Sequence, residues 1–384
     1  MTRRVKLRDV AEINPGVGPI SAADEVVAFV AMADVSEDGS VSAVHKRLLA
    51  DVGKGYTAFR AGDVLLAKIT PCFENGKAAV VEQLPARLGF GSTEFHVLRA
   101  SPEIDVRFLF HLLWNPDFRR TGASRMTGSA GQKRVPTAFL ADFEFSLPSL
   151  MEQQRIARTL DKVHNVKRKC LSSTQLANVF LRAVYLNMFG DPVTNPKRWK
   201  VEKLSNVGTL DRGVSKHRPR NDPSLLGGNH PLIQTGEIAN CDGYIHTYTH
   251  TYSDKGLQQS KLWPAGTLCI TIAANIAKTG ILRFDACFPD SVVGFSTSEP
   301  SIVEYVRFWL SFLQKTLEAN APESAQKNIN LAILRALEIP VPPIDLIRKF
   351  SDLVLATESI KTSQATMLRK STVLDRALRN LLLT

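Results

Sequence analysis

An internal repeat constrains this chain more than any other feature of its sequence. FRAGDVLLAKI (Phe59 to Ile69) and LWPAGTLCITI (Leu262 to Ile272) are each an Ala-Gly turn feeding a short apolar strand, and they align on Gly62 and Gly266. LGFGSTEFHVL (Leu88 to Leu98) aligns with DSVVGFSTSEP (Asp290 to Pro300). DVRFLFHLL (Asp105 to Leu113) aligns with EYVRFWLSFL (Glu304 to Leu313), each an amphipathic helix with a Val-Arg-Phe core. GSAGQKRV aligns with ESAQKNIN through Gln132 and Gln326, and LADFEFSLPSL aligns with LRALEIPVPPI through Pro148 and Pro342. Five pairs in one order imply two similar domains. A length of 384 residues, more than one typical core holds, agrees with that.

A long helical pattern follows each proline stop. Over residues 151–189, steps of four and three from Ile156 reach Leu160, Val163, Leu181 and Val184, a stripe interrupted by polar residues such as Lys167 and Thr174. From Phe350 the second pattern reaches Leu353, Ile360, Met367, Leu374 and Leu378, again with polar interruptions. An unbroken helix of either length spans about 55–60 Å, too long to bury its stripe on one small domain. Antiparallel pairing of the two helices supplies a partner of matching length. The breaker cluster MFGDPVTNPKRW (Met188 to Trp199) ends the first helix and opens the second copy, with Gly190 as the stop and Pro192 preventing continuation.

The expected class is therefore α+β. Residues 1–149 form the first globular domain and 150–189 the first long helix; 190–341 form the second domain, with 190–200 as its linker, and 342–384 the second helix.

Several chemistries lack their signatures. No GxxxxGK[ST], HExxH or GxSxG is present, no Asp or Glu precedes a lysine by two positions, and the histidines do not cluster with carboxylates at ligand spacing. The Pro-Pro pair, Val341-Pro342-Pro343-Ile344, lacks the polar and aromatic neighbours of an amino-methyltransferase loop. The five cysteines form no CxxC and are expected to be reduced. There is no run of eighteen apolar residues and no signal-peptide pattern, so no membrane partner and a cytoplasmic location are expected.

What remains is charge. A net +11 favours polyanions, and Arg, Lys, Asn and Gln are the side chains that make paired contacts to base edges. They concentrate in loops of both copies. The first copy offers Lys68, Thr70, Asn75 and Lys77 after one strand, then Ser129, Gln132, Lys133 and Arg134. The second offers Arg212, Lys216, Arg218 and Arg220, then Asn275 and Lys278, then Ser324, Gln326, Lys327 and Asn328. These eighteen residues are the candidate DNA contacts, and no metal or catalytic residue is expected.

The segments LPSLMEQQRIARTLDKV (Leu147 to Val163), NMFGDPVTNPKRWKVEKL (Asn187 to Leu204) and AGDVLLAKITPCFENGKAA (Ala61 to Ala79) resemble the specificity subunits of type I restriction-modification systems. The resemblance covers essentially the whole chain. The helix entry Pro148, Glu152, Gln153, Ile156 is its most specific marker, and VPPIDLIRKF departs from it in the second copy.

The resemblance implies a non-catalytic subunit with two target-recognition domains, each reading half of a split, asymmetric site in double-stranded DNA. The paired helices would act as a ruler and as a dock for two methyltransferase subunits, which motor-nuclease subunits can join. S-adenosylmethionine, and ATP with Mg²⁺ for restriction, would belong to those partners and not to this chain. The competing readings are a self-sufficient nuclease or methyltransferase with an unfamiliar site, and a coiled-coil adaptor that binds no DNA.

Overall fold

The computed structural model describes residues 3–16, 25–129, 131–219, 222–273, 276–319, 329–380 and 382. The chain divides into two compact units, one made of Met1–Ser173 with Gln364–Thr384 and the other of Thr174–Ser363. Each unit therefore holds part of both long helices.

The first unit contains β1 (Arg3–Lys6), β2 (Ala11–Ile13), β3 (Val26–Val30), β4 (His45–Leu48), β5 (Thr57–Phe59), β6 (Val64–Ala67), β7 (Ala78–Val80), β8 (Gly89–Gly91), β9 (Phe95–Ala100) and β10 (Glu144–Leu147). β1 and β10 form an antiparallel ribbon, and two four-stranded sheets run β2-β9-β6-β7 and β4-β3-β8-β5. β6 reads as unbroken apolar sequence because its sheet is covered on both faces. Val64 and Leu66 join a core with Phe108, Leu109 and Leu112 of the Val106–Leu113 helix, while Leu65 faces the opposite way, toward Phe59, Phe95 and Val97. Asp105 starts that helix by accepting the N–H groups of Arg107 and Phe108, each at 3.0 Å.

The second unit contains β11 (Lys200–Lys203), β12 (Thr209–Arg212), β13 (Leu226–Leu232), β14 (Tyr244–Ile245), β15 (His250–Tyr252), β16 (Leu262–Trp263), β17 (Leu268–Thr271), β18 (Thr279–Leu282), β19 (Ala286–Cys287), β20 (Val292–Ser296) and β21 (Glu338–Val341). Its ribbon is β11-β21 and its sheets run β12-β20-β17-β18-β14 and β15-β13-β19-β16. One connectivity thus occurs twice, including a parallel pair in the outer sheet, β3 with β8 and β13 with β19.

The topology corrects one alignment. Gly89 and Phe90 lie in β8, whereas Gly294 and Phe295 lie in β20, whose counterpart is β9. Leu66 opposes His96 as Ile270 opposes Val293, so His96 and Val293 are the equivalent pair. A shared Gly-Phe followed by Ser-Thr drew the sequence alignment one strand too far upstream.

The long helices run Leu150–Phe189 and Ile344–Asn380. Within the first unit, Lys167 bonds Asp375 at 2.8 Å and Ser173 bonds Gln364 at 2.6 Å, so the helices run in opposite directions. Within the second unit the same is true of Asn178 with Lys361 at 3.2 Å and Tyr185 with Phe350, ring centroids 5.5 Å apart. Ile156, Leu160, Val163 and Leu181 are buried and Val184 is half-buried; Ile156 and Leu160 join the core of the first unit with Phe108, Leu109 and Leu112.

The second stripe needs correction. Phe350 is buried and Leu378 half-buried, but Leu353, Ile360, Met367 and Leu374 are 41, 57, 53 and 46% exposed. The contact face steps first by four, through Val354, Lys361, Leu368 and Asp375, all buried or half-buried. Two of those seam positions are charged, and the apolar residues just before them, Ile360 and Leu374, mimic a stripe that the helix turns outward.

At the seam between copies, Gly190 adopts φ +83°, and an added Cβ would lie 2.8 Å from Pro196 Cγ. Lys197 Nζ donates to the carbonyls of Asn187 and Met188 at 2.6 and 2.9 Å, satisfying helix-end acceptors. Trp199 Nε1 donates to Phe189 O at 2.9 Å, fixing the exit of the chain.

Candidate nucleic-acid interface

In the first unit, β6 leads into a loop over residues 68–77 that turns back into β7. Buried Phe73 anchors it beside Phe118, and Phe73 N–H to Ile69 O and Asn75 N–H to Pro71 O close its turns. Gly76 has φ +87°, and a Cβ there would lie 2.7 Å from Arg119 Nη1, so only glycine fits. A second loop over 127–135 lies alongside: Thr70 N–H donates to Lys133 O and Val135 N–H to Lys68 O, both at 2.9 Å. Segments far apart in sequence thus become one surface, which brings together Lys68, Thr70, Ser129, Gln132, Lys133 and Arg134.

The side chains on it have different tasks. Ser129, Gln132 and Lys133 are exposed. Arg134 forks onto both oxygens of Glu94, at 2.9 and 2.7 Å, and donates to Gln132 O at 2.8 Å. The hydrogen bonds from Arg134, partly opposed by burial, hold the Glu94 carboxyl below its ordinary value. Thr70 Oγ1 donates to Glu74 at 2.6 Å. Asn75 Nδ2 donates to Glu37 at 2.8 Å and Lys77 Nζ to Met32 O at 3.1 Å, so these two brace the neighbouring loop. Arg134, Asn75 and Lys77 therefore act as supports in this conformation, while the exposed Gln132 and Lys133 are the groups free to meet a ligand.

In the second unit, Arg212 sits at the end of β12 opposite Val293, and Thr271 at the end of β17 opposite Val292, so both lie at one end of the same sheet. Arg212 Nε donates to Asp290 O. Arg218 donates to Ser215 O at 2.6 Å and to Asp290 Oδ2 at 3.2 Å. Lys216 is exposed, and Lys278 is half-buried with its backbone paired to Thr271. The turn at Asp290 gathers the two guanidinium groups beside a cavity of about 320 Å³ lined by Gln234, His250, Tyr252, Pro289 and Ser291. Arg220, Asn275, Ser324, Gln326, Lys327 and Asn328 lie outside the described residues.

Sequence reasoning missed Glu94, whose carboxylate takes Arg134, and Asp290, whose backbone carbonyl takes Arg212 and whose carboxylate takes Arg218, because each is distant from its partner in the chain. It also missed His45, Lys46 and Arg47, the exposed residues of the edge strand β4. Alternation of buried and exposed residues does not reveal a strand exposed throughout. The five cysteines are free thiols. Among the described residues no group of His, Cys, Asp and Glu could hold a metal, and no helix is long and apolar enough to cross a membrane.

Comparison with known proteins gives a consistent result. Residues 3–175 and 196–358 each match the type I restriction modification DNA specificity domain. The type I restriction enzyme EcoAI specificity subunit of Escherichia coli is 44% identical over 153 residues, which cover 39% of this chain and 26% of that protein. The EcoEI specificity subunit of the same organism is 40% identical over 162 residues, 41% of this chain and 27% of that one. These matches span about a quarter of each relative. A type I restriction-modification system S subunit from M. genitalium superimposes with a TM-score of 0.65 at 13% identity, covering 100% of this chain and 96% of the other. A chain from a structure describing complex assembly and conformational transition of the type I R-M system gives 0.52 at 19% identity, covering 99% and 96%. At these identities the structural likeness shows the fold alone.

Proposed function

We propose that this chain, which belongs to the type I restriction modification DNA specificity family, is the non-catalytic subunit that reads a bipartite, asymmetric site in double-stranded DNA. Residues 1–149 and 190–341 are the two recognition domains. The helices over 150–189 and 342–384 set the spacing between the half-sites they read. The observation that carries this reading is the repeated connectivity, with basic side chains among the described residues at the end of the same sheet in each copy, Lys68, Lys133 and Arg134 in the first and Arg212 and Lys278 in the second.

Lys68, Lys133, Lys216 and Lys278 supply phosphate contacts, and Gln132 supplies base readout in the first half-site. Arg134, Arg212 and Arg218 hold the loops that present them.

The helices also carry apolar side chains that nothing in their own unit covers. In the first unit these include Leu171, Met367 and Leu374; in the second they include Val179, Phe180, Leu353 and Ile360. Exposed apolar groups at this density mark protein contacts, and we assign them to two methyltransferase subunits. Those partners carry S-adenosylmethionine and modify adenine in the cytoplasm; motor-nuclease subunits with ATP and Mg²⁺ complete the restriction form.

Duplex affinity measured against salt tests the assignment. Four neutralised phosphates, one per lysine, give a slope of log K against log salt of about −3.6. A flat dependence would favour a protein adaptor instead, and modification by this chain with no partner would favour a self-sufficient enzyme.

A further inference from the structure

His96 joins the strand framework of the first unit to one of its two loops. Its ring is 3% exposed on β9, and Nε2 lies 2.9 Å from the carbonyl of Val135, the last residue of the 127–135 loop. Nδ1 lies 3.2 Å from Asn14 Nδ2. The hydrogen bonds fix the tautomer. Val97 N–H donates to Asn14 Oδ1 at 3.0 Å, so the amide turns its NH₂ toward the imidazole. Nδ1 must then accept, and Nε2–H donates to Val135. Asn14 is itself held at φ +53°, with its N–H on Val97 O at 2.6 Å.

We propose that neutral His96 is a positioning residue for DNA readout: it fixes the 127–135 loop against β9 and so sets where Gln132 and Lys133 stand in the first half-site. The inference rests on the DNA-recognition reading and deepens it. A protonated ring would place a donor at both nitrogens, and Nδ1–H would face the NH₂ of Asn14. The charged groups facing the ring are Lys68, at the end of β6, and Glu94, which Arg134 already neutralises. Burial, with Lys68 in the same sense, keeps the imidazole below its ordinary value against the pull of Val135 O and Glu94. Acid therefore opens the latch.

The second unit supplies an internal control. It carries Val293 at the equivalent position, a side chain with no ring nitrogen to offer a carbonyl; among the described residues, Ile329 N–H donates to Ile272 O at 3.1 Å, as Val135 N–H does to Lys68 O in the first unit. Loss of the latch must act on one half-site alone.

The test uses the full chain bound to its methyltransferase subunits and duplexes carrying single base-pair changes in either half of the site. His96→Val places the second unit's residue in the first. His96→Gln keeps a donor and an acceptor within reach but cannot titrate. The wild type should lose about tenfold discrimination in one half between pH 8 and a pH well below the ordinary imidazole value of 6.5, the scale of one hydrogen bond to the loop. His96→Val should lose it at both pH values, and His96→Gln at neither. The inference is overturned if His96→Val leaves both halves unchanged, if both halves weaken together, or if His96→Gln titrates like the wild type. A wild-type complex that discriminates in neither half at pH 8 would instead overturn the DNA-recognition reading itself.

Discussion

The register of the second long helix makes a quantitative prediction. Val354 is 1% exposed in a cluster with Phe350, Ile347, Leu181 and Tyr185, whereas its neighbour Leu353 is 41% exposed. Val354→Ala removes two buried carbons, about 0.8 kcal/mol each, and leaves a small cavity, so the second unit should lose about 2 kcal/mol. Leu353→Ala removes more atoms, yet from solvent and in favour of the best helix former, and should cost less than about 0.5 kcal/mol. Hydrogen exchange reads the difference locally. Amides of Val306, Phe308, Trp309 and Leu310, whose side chains share that cluster, should exchange about thirtyfold faster in Val354→Ala and less than threefold faster in Leu353→Ala. Phe350→Ala, stripped of ring contacts to Tyr185, Phe189 and Phe308, should cost about 3–5 kcal/mol. Equal effects at 353 and 354, or a larger one at 353, would refute the four-first register.

Three further outcomes can be checked. Lys361, 9% exposed and bonded to Asp242, Glu358 and Asn178, should cost about 2–3 kcal/mol when changed to Ala, because Glu358 is left facing the seam without its cation; urea unfolding measures it. Burial lowers the values of His96, His111 and His164 from the ordinary 6.5, so the unfolded chain binds more protons than the folded first unit. Stability of that unit should be full above pH 6.5 and fall below it. Burial opposes ionisation of Asp161, but hydrogen bonds from His111 and Arg107 bring its carboxyl to about 2, so its contribution should be lost only toward that pH. Finally, inserting one heptad into both long helices should change the spacer in the methylated motif and leave both half-sites as they were; an unchanged spacer would sink the ruler assignment.

What the sequence revealed depended on how local the signal was. The repeat was legible because Gly62 and Gly266 introduce the same strand, and the seam because Gly190 and two prolines interrupt a long helical pattern. The first helix showed its buried face because Ile156, Leu160, Val163 and Leu181 are apolar. The second misled because its face holds Lys361 and Asp375 while Ile360 and Leu374 stand one residue away. At the candidate interface, residue type located the loops, but the tasks were set by long-range pairing. Arg134 looks like a base reader until Glu94 takes both arms of its fork, and Asp290 takes one donor from each of Arg212 and Arg218, the first on its backbone carbonyl and the second on its carboxylate. His96 gave no local sign at all, since its partners come from residues 14 and 135.

The central claim, that two similar domains read two halves of one DNA site, is tested most directly by mapping methylated adenines in cells that co-express this chain with its methyltransferase. The account predicts a single split motif of two unlike halves separated by a fixed number of unspecified base pairs. A continuous motif, or no new methylation from a folded and assembled complex, would contradict it.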